Sequence, residues 1–142
     1  MRFRHVHPGE MSDFRRASRE RINVFRLGDA YLFKHYVSEE LFSEIDRYYE
    51  EYDYRFEVPE DRFAFVRELL EEHDYAPVVV EDPEPFAVLK RKYTNHPDAL
   101  FRDSVYQRGL GTFNCFVMKT RDAAERAIER GARPLAEADV DL

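Results

Sequence analysis

The apolar positions of this chain fall into short runs whose period changes along its length, and the densest run spans residues 54–93. Phe63, Val66, Leu69 and Leu70 recur at helical spacing, with Phe65 beside them and Glu68, Glu71 and Glu72 on the wet side. Val58-Pro59-Glu60-Asp61 reads as the start of that helix. Proline suits a first helical position, which needs no amide hydrogen, and two acids complement the positive end of the helix dipole. The pattern stops near His73-Asp74, and Tyr75 to Val80 follows as a β-branched run, the composition of a strand. Two prolines in 81–85 interrupt it. A second strand spans Phe86 to Tyr93, alternating Phe86, Val88, Lys90 and Lys92 with Ala87, Leu89, Arg91 and Tyr93. This strand begins apolar and ends cationic on both faces.

The flanking segments follow the same logic. Glu10 to Arg21 predicts an arginine-rich helix after a short strand over Met1–His7, and Ile22–Leu27 with Ala30–Val37 predicts a hairpin around Gly28-Asp29. Ser38 caps a helix predicted over 39–52, with Leu41, Phe42, Ile45, Tyr48, Tyr49 and Tyr52 as its apolar stripe. Pro97 opens another helix, with Leu100, Phe101 and Val105 inward and Gly109 and Gly111 as its stop. Thr112–Lys119 predicts a strand. Thr120 caps a last helix through Arg130, with Ala124, Ala127 and Ile128 inward, and Ala132–Leu135 adds an edge strand.

Strand–helix–strand–strand–helix–strand over about 54–119 is the order of a ferredoxin-like α/β sandwich. The expectation is one α+β domain: a ferredoxin-like core within 54–135, an N-terminal helix and β-hairpin extension over 1–53, and a loose acidic tail over 136–142. A length of 142 residues fits one core. With 12 Phe, 9 Tyr and no Trp, much of that core is phenyl rings.

Charge changes the picture more than length does. The net charge is −7, yet residues 37–89 hold −13 while 1–36 hold +4 and 90–121 hold +5. Arginine far outnumbers Lys34, Lys90, Lys92 and Lys119, and with 29 acids the usage resembles that of salt-adapted proteins. Overall acidity excludes a generic nucleic-acid coat and leaves local basic blocks as the candidates for an anion site. One cysteine permits no internal disulfide, and no apolar run nears the roughly 20 residues of a membrane helix. A cytoplasmic protein without a membrane partner is therefore expected.

The candidate site is Lys90, Arg91, Lys92 and Tyr93, with Arg102 and Arg108. Lysines act as point charges, arginines as forked phosphate donors, and Tyr93 as a stacking platform, with the helix after Pro97 adding free amides. The dull alternative is a solvated strand end neutralised by the chain's own acids. His5-x-His7 puts two imidazoles on one strand face, but no second pair stands at metal-ligand spacing. Cys115 lies mid-strand, where a cysteine is usually a buried hydrophobe. The Gln107–Thr112 run resembles the acetyl-CoA loop of GNAT acetyltransferases, and Phe116–Leu135 resembles a segment of glyoxalase-type modules. The glycine spacing departs from the first and the remaining strands of the second are missing, so no residue is carried over. No catalytic residue, metal or cofactor is assigned. Three functional expectations stand: a non-enzymatic binding or regulatory module for nucleic acid or a phosphate-bearing ligand; a homodimeric protein–protein module; and a small enzyme using Cys115 or a histidine.

Overall fold

A computed structural model describes residues 19–138. A hairpin of β1 (Glu20–Leu27) and β2 (Ala30–Phe33) turns at Gly28, whose φ of 66° suits a residue without a Cβ. Helix α1 (Glu39–Ile45) begins where the Ser38 hydroxyl accepts from the Leu41 amide at 3.2 Å. It leads through a tight turn into β3 (Tyr49–Glu50) and β4 (Arg55–Pro59). Helix α2 (Phe63–Glu72) and β5 (Tyr75–Val80) complete the first half. The first sheet runs β3-β4-β2-β1-β5, antiparallel except for the parallel β1–β5 pair that aligns Glu20 with Tyr75 and Phe25 with Val80.

The second half is β6 (Ala87–Arg91), α3 (Asp98–Arg102), β7 (Ser104–Leu110), β8 (Phe113–Met118), α4 (Arg121–Glu129) and β9 (Arg133–Pro134). Its sheet runs β7-β8-β6-β9, and every neighbouring pair is antiparallel.

Three apolar clusters define four layers. Ile22, Val24, Phe33, Phe56 and Val58 of the first sheet meet Leu41 and Ile45 of α1 and Val66 and Leu70 of α2. Phe25 of that sheet's other face meets Leu89, Val105, Cys115 and Val117 of the second sheet. Val88, Phe116 and Met118, on the outer face of the second sheet, pack on Leu100 of α3 and Ala123, Ala124 and Ala127 of α4. The order is thus helices, sheet, sheet, helices. Period-2 alternation in β6 and β8 sends successive residues to opposite cores. Polar ties cross the seam: Asn23 Nδ2 donates to the Lys119 carbonyl and Arg55 Nη1 to the Val105 carbonyl, both at 3.1 Å. Lys34 Nζ donates to the carbonyls of Phe101 and Arg102, each at 3.2 Å.

The α+β class is as expected, but the strands of 54–119 do not form one ferredoxin-like sheet. β4 and β5 lie in the first sheet with β2 and β1 between them, whereas β6, β7 and β8 lie in the second. The β-α-β-β-α-β order occurs instead over 87–134. The cause is Ser104–Leu110, expected as the continuation of a helix. Val105 and Tyr106 are β-branched and aromatic, and the segment pairs with β8, Tyr106 opposite Val117 with the register skipping Val105, rather than extending α3 past Arg102. Gly111 then turns the β7–β8 hairpin at φ 60° instead of ending a helix. The β1–β2 hairpin is correspondingly the centre of the first sheet and no appendage.

The helix expected over 39–52 stops at Ile45. Tyr49 gains more by pairing opposite Phe56, with ring centroids 5.1 Å apart, than by staying helical. Tyr52 is left exposed. Phe101 and Ile128, expected inward, are partly exposed, and Ala123 joins Ala124 and Ala127 on the buried face of α4. Glu20 and Arg21 belong to β1 and not to a helix. The rest of that predicted helix, the Met1–His7 strand, His5 and His7, and the tail beyond 138 lie outside the described residues. Among the described residues, no helix is long and apolar enough to cross a membrane.

Candidate functional site

A cleft lies over the outer face of the second sheet, between α3 and α4. Leu100, Met118, Ala127 and Ala132 line it together with Pro97, and its charged groups are Lys90, Arg102, Arg126 and Arg130 with one carboxylate, Asp103. Strand alternation turns Lys90 to this face, in register with Asn114. Arg126 and Arg130 stand four residues apart on α4, hence on one side of it. Ala123, Ala124 and Ala127 hold that helix close to the sheet. Gly131 ends α4 at φ 107°, and a Cβ there would come within 3.3 Å of Lys90 Nζ. The glycine therefore both closes the helix and makes room for the ammonium.

Among the described residues, one of the four cations has a carboxylate partner. Arg102 binds Asp103 through Nε and Nη2, both at 3.2 Å. Among the described residues, Lys90, Arg126 and Arg130 have no ion-pair partner. The cavity measures ≈ 40 Å³. At about 10–15 Å³ per water on the same measure, that is room for a few waters or one phosphoryl-sized group. It falls well short of the roughly 300 Å³ needed to enclose a whole small ligand. A wider hollow of ≈ 350 Å³ opens between Arg26–Gly28 and Glu81–Glu84. Its one cation, Arg26, already bridges Glu60 at 3.0 Å and Glu81 at 3.9 Å. Glu81, Asp82 and Glu84 make that hollow repel anions.

The six sequence candidates are divided. Lys90 and Arg102 share the cleft. Arg91 lies on the opposite face of β6, its guanidinium 5.4 Å from the Phe113 ring centroid, with Arg133 5.9 Å from the same ring. Arg108 pairs with Cys115 and thus also faces away from the cleft. Lys92 Nζ lies over Gly109, 3.3 Å from where a Cβ would stand. Tyr93 is fully exposed, with φ 65°. That backbone region costs a bulky L-residue about 1–2 kcal/mol. Helix α3 has five residues, too few to make its first amides an anion site. Arg126 and Arg130, absent from the sequence candidates, were marked only by their spacing of four.

Near Arg102 stands an exposed aromatic side chain, Tyr36. Lys34 is anchored on the carbonyls of Phe101 and Arg102, and Tyr36 follows two residues later, 97% exposed. Burial raises the Tyr49 phenol above its ordinary pKa, and the neighbouring Tyr54 and Tyr36 add to the shift. Tyr54 is itself exposed, at φ 55°. Burial also lowers the Lys34 ammonium, as does the charge of Lys119 beside it.

Cys115 is fully buried between the sheets, and burial pushes its thiol up to about 11. His96 bonds the Asn114 amide at 3.2 Å on the other face of β8, and His73 meets Glu44 at 3.4 Å on the far side of the first sheet. Neither imidazole reaches the sulfur. A thiol two units above the ordinary 9.0 carries about a hundredfold less thiolate. Iodoacetamide at pH 8 should leave the native protein unmodified over hours and alkylate it stoichiometrically in denaturant. Rapid native labelling would overturn this burial. Among the described residues, no group of three or more His, Cys, Asp or Glu is placed to hold a metal ion. No protein-family model, curated protein or solved structure matches this chain.

Proposed function

We propose that this protein is a non-enzymatic binding module whose α3–α4 cleft takes one phosphate group of an anionic partner. The observation that carries the reading is the convergence of Lys90, Arg126 and Arg130, without ion-pair partners among the described residues, on a cavity sized for such a group. Three uncompensated cations repel one another, and an oxyanion between them relieves that repulsion while accepting hydrogen bonds. Arg102, tied to Asp103, supplies a positioned rim. The second sheet's inner face is covered by the first sheet, so it offers no open platform for stacked bases, and contact with a polyanion falls to the outer cleft.

The test is titration with pyrophosphate and a short polyphosphate, followed by calorimetry at several salt concentrations. Affinity should fall steeply as salt rises. Replacing Arg126 and Arg130 together by glutamate should weaken binding at least about tenfold, because each exchanges an attraction for a repulsion. Both side chains are exposed, so far-UV circular dichroism should not change. Binding that ignores salt or survives the double substitution would refute the cleft. A stable dimer without polyanion affinity would move the function to protein–protein contact.

A further inference from the structure

We infer that the partner is a single-stranded nucleic acid, its phosphates following the α3–α4 cleft and its bases stacking on the exposed rings of Tyr36 and Tyr93. This rests on the anion reading above and adds the class of ligand. Tyr93 lies in the segment that joins Lys90 to Pro97, both of which line the cleft. Tyr36 lies near Arg102, two residues after Lys34, whose Nζ donates to the Phe101 and Arg102 carbonyls.

Both rings are almost wholly solvated, at 97% and 101% of full exposure. Neither therefore stabilises the fold by packing. Their phenyl faces are free, and an exposed aromatic next to a cationic groove is the pairing that binds unpaired bases: charge tracks the backbone, and the ring accepts any base. Tyr93 is also held in the left-handed backbone region, a conformation the loop maintains although the side chain gains no protein contact from it. The cavity accommodates one phosphoryl group, so the remaining nucleotides must lie outside it. A duplex fits this arrangement poorly, since its bases are stacked on one another and closed to the tyrosines. A phosphorylated peptide would use the cations but leave both rings idle.

The experiment uses the full chain and four fluorescently labelled probes of equal length: oligo(dT), oligo(U), an abasic strand with the same phosphates, and a duplex. Anisotropy at fixed salt should give affinities for oligo(dT) and oligo(U) at least about fivefold above the abasic strand and the duplex. Tyr36→Ala and Tyr93→Ala should each weaken the base-bearing strands and leave abasic binding unchanged. Their exposure keeps both variants folded, and Tyr→Phe should restore affinity, because stacking needs the ring and not the hydroxyl. A preference between oligo(dT) and oligo(U) would identify DNA or RNA as the natural strand. Equal affinity for abasic and base-bearing strands would overturn the stacking inference while leaving the anion cleft standing. Failure of all four probes to bind would overturn both.

Discussion

Truncating Phe56 to alanine should lower the unfolding free energy by about 3–5 kcal/mol, the range for removing a buried phenyl ring without collapse of the space it leaves. Phe56 is 1% exposed at the middle of an aromatic ladder across three strands. It pairs with Phe33 of β2 on one side and Tyr49 of β3 on the other. Its ring stacks on Phe33 at 4.8 Å and meets Tyr49 at 5.1 Å and Phe42 at 5.9 Å. Deleting it strips partners from three rings at once, and flat rings on a pleated sheet cannot slide inward to refill the gap. Thermal unfolding followed by circular dichroism at one fixed salt concentration should show a fall in Tm on the order of 10 °C. Phe65→Ala, on the exposed side of α2, is the control and should cost less than about 1 kcal/mol. A Phe56→Ala loss no larger than this control would mean that the ladder is not the centre of the first core.

The contrast between these two phenylalanines shows what was legible in the chain. Phe63, Val66, Leu69 and Leu70 have helical spacing, and all four are buried while Phe65 is not. Local caps were equally legible, because Thr120 accepts from the Ala123 amide within one turn. Long-range pairing was not. Nothing in Tyr75–Val80 announces that it lies parallel to Glu20–Phe25, some 55 residues earlier. Val105 continues the helical spacing of Leu100 and Phe101 in α3, which disguised the Ser104–Leu110 strand, and that one reassignment moved the β-α-β-β-α-β order along the chain. The site divides in the same way. Period-2 alternation already separates Lys90 from Arg91, yet proximity in sequence grouped them. Arg126 and Arg130 went unnoticed because α4 was read only for its apolar face, and their juxtaposition with Lys90 depends on tertiary packing.

Asp103 makes the second large prediction. It is 7% exposed where α3 ends, and its carboxylate accepts from Arg102 and meets Lys119 Nζ at 3.5 Å. Its carbonyl accepts from the Lys119 amide at 2.8 Å, while Lys34 holds the two preceding carbonyls. One carboxylate thus stands among three cations at the seam of the two sheets. Burial alone would push its pKa up, but the Arg102 hydrogen bonds and the charges of Lys119 and Arg102 outweigh burial and hold it below the ordinary 3.8. Asp103→Asn preserves shape and removes the charge, leaving Lys34 and Lys119 facing each other, and should cost about 1–2 kcal/mol at pH 7. Because the native carboxyl is the stronger acid, the unfolded chain binds the proton more readily. The charge therefore stabilises the fold fully above the unfolded value, and that contribution disappears as pH falls through the depressed native value. The gap between wild type and Asp103→Asn, measured by denaturant unfolding, should be full at pH 6–7 and close in strong acid as wild type loses its advantage. Other carboxylates titrate in both proteins and cancel in the difference. A gap that stays constant into strong acid would show that the asparagine amide fits badly for steric reasons, and that the seam is held by the carbonyl bonds of Lys34 and Lys119 rather than by the Asp103 charge.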